Sequence, residues 1–348
     1  MIIDFYNGKR VLITGHNGFV GSWLSLWLSE LGANIVGLSH KPPSRPYLFK
    51  YLNFNGNLEN IYGDIRNLAL LKKIIKDYEP EIIFHLAAQP ILLRSYNDPI
   101  ETYTTNIIGT INVLEAVRLS DSTGAVVAIT SDKVYENSEA KAHREADILG
   151  GYDPYSSSKA AAELIVHAYR NSFFQDIGIA TARAGNIIGG GDWGEYRIIP
   201  DIIRSCRKNR KLQLRHPRAI RPWTYILDVI YGYLLLGEKL YKDNKNYSEG
   251  WNFSSSYVKS TIELVKEFSK FFNIDYCNKV RSENHEEGVL LLDSSKSKQL
   301  LGWSPKFDFK SAVEETALWY KMFYEEKRID ISEYSKDLIL KFENKQQK

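Results

Sequence analysis

Residues 11–28 read VLITGHNGFVGSWLSLWL: an apolar, β-branched run, then Gly15, Gly18 and Gly21, then a run rich in leucine and tryptophan. The first segment has the make-up of a buried strand and the last that of a helix, so the glycines fall in the turn between them. In such a turn Gly15 permits the tight reversal, Gly18 lets backbone approach a pyrophosphate, and Gly21 lets the helix pack on the strand. The helix start that follows offers N–H donors and the positive end of the helix dipole, which together hold an anion. A plain glycine-rich turn has the same spacing, but the strand–turn–helix setting near the start of the chain points to a dinucleotide. Gly15, His16, Gly18, Phe19 and Gly21 are its candidate contacts, with a capping or solvated role equally open for His16.

Outward from this turn, short β-branched runs at 10–14, 34–38, 81–86, 125–129 and 177–182 alternate with helix-spaced segments at 20–31, 67–78, 100–119 and 156–171. Apolar strands interleaved with helices predict an α/β fold, a Rossmann-type doubly wound parallel sheet. Beyond Gly185 the pattern loosens into GNIIGGGDWGEYR (185–197), a basic helix at 198–209, and helices at 225–239, 261–272 and 310–325. A chain of 348 residues exceeds what one core usually supports. The expected division is a dinucleotide domain over 1–185 plus about 224–250 and a smaller, interleaved C-terminal substrate lobe over 186–223 and 251–330. Residues 331–348 are expected to be a charged, frayed tail.

Composition excludes several classes. Hydrophobic residues make up 44% and charged residues 25%, ordinary for a folded globular chain. A net charge of +3 gives no reason to invoke nucleic acid or a membrane surface. No apolar run approaches the roughly 20 residues that cross a bilayer, and Asp4, Lys9 and Arg10 stand where a signal peptide needs apolar residues. Cys206 and Cys277 make no disulfide framework and suit a reducing compartment. The expectation is a cytoplasmic protein with no nucleic-acid or membrane partner.

The second strand runs into VGLSHKPP (36–43), which lacks the carboxylate that usually accepts a ribose 2′-hydroxyl. His40, Lys41 and Arg45 suit a 2′-phosphate equally, so the sequence leaves NAD and NADP open. Asp64 and Ile65, in YGDIR (62–66), end a third strand. There Asp64 accepts from an adenine amino group or caps the next helix, two compatible roles.

After the strand at 125–129 comes TSDKVY (130–135), a hydroxyl, a carboxylate and an ammonium side by side at a strand end. Buried charge costs free energy, so the trio needs a chemical reason. Downstream, GGYDPYSSSKAAAEL (150–164) places Tyr155 and Lys159 four apart on a helix, hence on one face. An ammonium lowers the pKa of a nearby phenol, which fits Tyr155 as general base toward a substrate hydroxyl. Tyr-x-x-x-Lys is common by chance; its place on the helix after TSDKVY gives it weight.

The glycine turn, HLAAQ (85–89), TNIIGT (105–110) and Tyr155/Lys159 resemble the extended short-chain dehydrogenase/reductase superfamily. TSDKVYEN, GGYDPYSSSK, YRNSFF, ARAGNIIGGGDW, RIIPDI, RAIRPW and SEGWNF carry the likeness over nearly the whole chain. They point to the nucleotide-sugar 4,6-dehydratases, most closely the CDP-glucose branch. The resemblance implies NAD as cofactor, with Leu86, Ala87, Ala88, Gln89, Tyr155 and Lys159 joining Asp64, Ile65 and the glycine turn. It implies a nucleotide-sugar substrate that is oxidised at C4 while Tyr155 removes the 4-hydroxyl proton, loses water across C5 and C6, and takes hydride back at C6. Ser131 then hydrogen-bonds the 4-oxygen, and Asp132 is the acid for the departing 6-hydroxyl. Lys133 is the base for C5 or a charged stabiliser of the enolate. Arg221 matches the diphosphate-binding arginine, Asn186 and Arg94 are further substrate candidates, and a homodimer built through two helices is implied. Val20, Arg94, Thr224, Tyr225 and the stretch HEEGVLLLD (285–293) depart from the CDP-glucose pattern.

Two other readings compete. A nucleotide-sugar 4-epimerase or reductase keeps Tyr155, Lys159 and the fold without needing Asp132 and Lys133. A non-catalytic cofactor sensor or RNA-binding member dispenses with Tyr155, Lys159 and Ser131. Between Arg204 and Arg221 there are eight Lys/Arg residues and no acid. The stretch lacks the interleaved aromatics of an RNA surface, and Arg207, Lys208, Arg210 and Lys211 read as a solvated face.

Overall fold

The computed structural model describes residues 2–42, 44–136, 141–278, 288–326 and 328–346. Seven strands, all parallel, form the central sheet: β1 (Arg10–Thr14), β2 (Asn34–Ser39), β3 (Leu58–Tyr62), β4 (Ile82–His85), β5 (Ala125–Ile129), β6 (Gly178–Ala184) and β7 (Gly250–Phe253). Their order is β7-β6-β5-β4-β1-β2-β3. The order reverses at β1, which opens a crevice beyond the carboxyl ends of β1 and β4, where ligands of such sheets bind. The expected doubly wound sheet is therefore present.

Strand side chains alternate between two cores. Val11 and Ile13 of β1, Ile82 and Phe84 of β4, and Ala125 and Val127 of β5 face one side, with helices α1 (Phe19–Glu30) and α6 (Ile226–Lys242). Leu12, Ile83 and Val126 face the other, with α2 (Leu68–Tyr78), α3 (Gly109–Arg118) and α4 (Pro154–Phe173). Burial on both faces explains why these strands read as unbroken apolar runs. The lobe adds α5 (Ile198–Arg207), α7 (Phe309–Glu325) and short strand pairs, among them Leu212–Leu214 with Tyr276–Asn278 and Ile220–Pro222 with Val258–Ser260.

Two boundaries differ from expectation. β7 pairs with β6, Trp251 opposite Ala182, so the sheet extends to Phe253 and takes in residues expected in the lobe. Residues 331–346 are not frayed: Ile331–Gln346 form helix α8. Its Ile331, Leu338, Ile339 and Phe342 are buried, Phe342 meets Trp27 edge-on at 5.3 Å, and Trp27 Nε1 donates to Glu343 Oε1 at 2.8 Å. Helical spacing of these apolar residues was legible, but the surrounding lysines and glutamates mask it, because a narrow stripe is all that a helix on the surface of α1 needs.

Candidate active site

At the β1–α1 turn Gly15 has φ +81°, which L side chains rarely adopt, and a Cβ there would lie 2.7 Å from Ala87 N. A Cβ on Gly21 would overlap Gly15 O, so α1 can ride on the turn only with glycine. Gly18 caps α1 without a side chain, and the first-turn N–H groups have no intrahelical partner. These features fit a dinucleotide's pyrophosphate.

Neither role expected of His16 holds. It has no exposed surface: Nε2 donates to Asn60 Oδ1 and Nδ1 accepts from Ser39 Oγ, both at 2.8 Å. Burial lowers its pKa and keeps the ring neutral, while Asn60 and the Leu38 carbonyl oppose. It braces the turn against β2 and β3 from behind. Asp64 accepts from Arg66 Nη2 at 2.6 Å and pairs with His40 at 3.0 Å. Burial pushes the Asp64 carboxyl up, but Arg66 and His40 outweigh it and bring the pKa to about 2. The cap of α2 is Asn67, whose Oδ1 accepts from Leu70 N, not Asp64. Ile65 is buried under Gly109, and Gln89 is buried on Thr102, Asn106 and Ile91. Neither lines the cleft that holds Tyr155.

A cavity of about 380 Å³, ample for a small-molecule site, runs from this turn into the lobe. Phe19, Leu86, Ala88, Ser131, Asp132, Lys133, Tyr155, Lys159, Asn186 and Arg221 line it, so ten residues singled out in the sequence meet in one cleft. Beyond β5, Ser131 accepts from Lys133 N at 3.2 Å and its Oγ donates to Asp132 Oδ1 at 3.0 Å, capping a single 3₁₀ turn, Asp132–Val134. Asp132 is buried, with Gly185 against it where any Cβ would overlap the carboxyl. Burial raises its pKa; Lys133, Ser131 and Arg221 oppose without reversing the shift. The Asp132 carboxyl thus retains its proton more readily than an exposed one.

The expected depression of Tyr155 by Lys159 is not found. Burial and the charge of Asp132 push the phenol up to about 12, against Ser131 and Arg197. Lys159 is turned away: its Nζ donates to Ile129 O at 3.0 Å, and burial lowers its pKa to about 8, with Glu163 opposing. Arg221 is buried in the cleft wall, Nη1 donating to Ile220 O at 2.9 Å. Asn186 holds φ +35°, and its carbonyl accepts from Thr224 N. Such backbone strain in a non-glycine residue clusters at binding sites. Arg94 is not part of the cleft. It is exposed and fork-bonded to Glu101, at 2.9 Å and 2.8 Å; a nearby carboxylate satisfies its guanidinium.

Sequence reasoning missed three cleft residues. Tyr196 has φ +59°, Arg197 bonds Asp192 at 3.2 Å, and Arg215 donates to Tyr196 O at 2.6 Å. The glycine-rich 185–197 segment was the available signal. Arg207, Lys208, Arg210 and Lys211 are all exposed, the solvated face expected, with Arg207 4.6 Å from the Tyr324 ring and Lys211 in a surface pair with Asp275. Asn137 and His285–Glu287 lie outside the described residues. Among the described residues no three His, Cys, Asp or Glu side chains group to hold a metal ion, and no helix is long and apolar enough to cross a membrane.

Comparison with known proteins agrees with this geometry. The chain is 43% identical to CDP-glucose 4,6-dehydratase of Salmonella typhimurium, over 91% of this chain and 92% of that protein. Its backbone superposes on an epimerase from Methanothermobacter thermautotrophicus with a TM-score of 0.84 and 27% identity, over 93% and 95% of the two chains. The dTDP-glucose 4,6-dehydratase of Bacillus anthracis, solved with NAD, superposes at 0.77 with 24% identity, over 92% and 98%. The model of the family described as GDP-mannose 4,6 dehydratase matches residues 12–316, and the chain belongs to that family.

Proposed function

We propose that the protein dehydrates CDP-glucose to CDP-4-keto-6-deoxyglucose with NAD that is recycled within each turnover. The carrying observation is the buried Asp132, its carboxyl pKa raised by burial, beside Lys133 in the cleft that holds Tyr155. A 4-epimerase needs Tyr155 but has no use for an acid–base pair at C5 and C6. The identity to the Salmonella CDP-glucose enzyme supports the same choice.

NAD, when bound, supplies the two-electron oxidant at C4 and the reductant at C6. To act as base Tyr155 must first give up the proton that its raised pKa retains, an ionisation that the positive charge of bound NAD would favour; it then takes the 4-hydroxyl proton while Ser131 holds the 4-oxygen. Once C4 is a ketone the C5 proton is acidic; Lys133 removes it and returns a proton to C5 when C6 is reduced. Asp132 gives its proton to the departing 6-hydroxyl, so the leaving group departs as water. Gly15, Gly18 and Gly21 hold the pyrophosphate, and Arg221, a fork of donors, suits the sugar nucleotide's diphosphate. Asp64 favours NAD over NADP: with His40 engaged on it, a 2′-phosphate there would meet a carboxylate.

Exposed apolar residues on neighbouring helices, Ile100, Ile108, Leu164 and Phe173, support pairing of two copies through this face, and the two free cysteines suit the cytoplasm. The test is separate incubation with CDP-glucose, dTDP-glucose and GDP-mannose, followed by mass spectrometry and the alkaline absorbance of a 4-keto sugar. Loss of one water from CDP-glucose alone is expected. Turnover of a different sugar would replace the substrate, and turnover of none would remove the reading.

A further inference from the structure

Beneath the cleft lies a buried charged cluster that the chemistry above does not use. Glu163 sits one helical turn beyond Lys159 on α4 and is almost wholly enclosed, as is Arg183 of β6. The Glu163 carboxylate accepts from Arg183 Nε and Nη2, both at 2.8 Å, from Thr181 Oγ1 at 2.6 Å, and from Thr130 Oγ1 at 2.5 Å. Arg183 reaches on to Tyr135 OH at 2.7 Å and Glu145 O at 3.2 Å, and Tyr135 OH donates to Asn252 Oδ1 on β7 at 2.7 Å. Lys159, Arg170 and Glu145 are the other charged groups around the pair.

The contact with Thr130 matters most. Thr130 directly precedes Ser131, Asp132 and Lys133, and its backbone N–H bonds Ala182 O on β6. One carboxylate therefore joins the strand end that launches the acid–base turn to the helix that carries Tyr155 and Lys159. Lys159 adds a second tie between them, from Nζ to Ile129 O. A buried ion pair is weak evidence for stability, because desolvation offsets the attraction. Four charge-assisted bonds on one carboxylate, made to two segments distant from α4 in sequence, β6 and the end of β5, instead give geometric definition.

We propose that Glu163, locked by Arg183, is a positioning residue that holds the Ser131–Lys133 turn in register with Tyr155 and Lys159 through its bond to Thr130. Reacting groups displaced by about 1 Å can cost on the order of a hundredfold in rate, so loss of this tie lowers turnover without weakening substrate binding. The kinetic arm rests on the dehydratase reading above; the exchange arm does not.

Thr130→Val removes only the bond that leads to the turn and leaves the Glu163–Arg183 pair intact. Thr130→Ser keeps the hydroxyl. Amide exchange of Lys133 and the neighbouring turn, and kcat and KM for CDP-glucose, are measured for both variants and for Glu163→Gln. Expected are roughly tenfold faster exchange in the turn for Thr130→Val with exchange in β1 unchanged, kcat reduced about tenfold, KM within twofold, and recovery of both in Thr130→Ser. Glu163→Gln should show the same pattern more strongly if it folds; Thr130→Val decides the matter if it does not. Exchange in the turn within twofold of wild type in folded Thr130→Val overturns the proposal. Wild-type protein inert toward CDP-glucose removes the substrate reading alone, since exchange still decides the positioning role.

Discussion

Two ionisable residues one turn apart on helix α4 have opposite surroundings. Lys159 has burial against it and one backbone carbonyl as partner, so its pKa falls to about 8. Glu163 is buried too, yet four donors and the Arg183 charge outweigh burial and hold its pKa below the usual range. The carboxylate is satisfied by protein alone; the ammonium, with three N–H donors, gives one hydrogen bond, to Ile129 O, and lines the cleft. Helix α4 thus presents an under-satisfied end to the ligand and anchors itself by an over-satisfied one. This division is expected where a site must be held rigidly while its reactive groups keep free valences.

The contrast can be broken at several points. The largest effect should follow Tyr155→Phe, which removes the phenol whose ionised form accepts the substrate proton; kcat should fall about 10³-fold, inside the roughly 10²–10⁴ that acid–base catalysis contributes. Lys133→Arg comes next. Arginine keeps the charge but is effectively never deprotonated, so a loss of about 10²-fold, read from the rate of solvent-deuterium exchange at C5, marks Lys133 as the base. Retention of near wild-type exchange would make it a charged stabiliser. At the smaller scale of stability, the two α4 residues should respond with opposite sign. Glu163→Gln strands a buried guanidinium and should destabilise by about 3–5 kcal/mol, seen as a lowered urea midpoint.

Lys159→Met should stabilise the fold while abolishing turnover. A lysine whose folded pKa is depressed adds its full stability only above its unfolded pKa and loses it as pH falls through about 8. Below pH 8 the wild type therefore carries a penalised charge that methionine lacks, a gain of roughly 1–3 kcal/mol. That gain should shrink as pH rises toward 10.5, the model-compound value, and urea titrations at pH 7 and pH 10 measure it. A gain equal at both values would show that packing, not charge, separates the variants.

Much of the fold was legible because local patterns and global architecture agree. The strands of the first half are apolar throughout since both faces are covered, and Gly15 and Gly21 are demanded by backbone clashes that no other residue avoids. The tail and the last strand escaped because each depends on partners far along the chain: α8 on α1, α6 and α7, and β7 on β6. Within the site, residue types, spacing and the family resemblance singled out Ser131, Asp132, Lys133, Tyr155 and Lys159 as candidates, and the cleft gathers all five.

Amino-acid order by itself determined the doubly wound sheet, the glycine turn and the candidate reactive side chains, because periodicity, glycine placement and side-chain chemistry are local properties. Tertiary structure alone decided their environments. It turned His16 into a buried brace and tied Arg94 to Glu101. It raised Tyr155 and Asp132, lowered Lys159, and set Glu163 under the acid–base turn through a carboxylate that joins residues 130, 163, 181 and 183. Desolvation and pairing depend on which atoms from distant segments close around a group, and only the folded chain defines them.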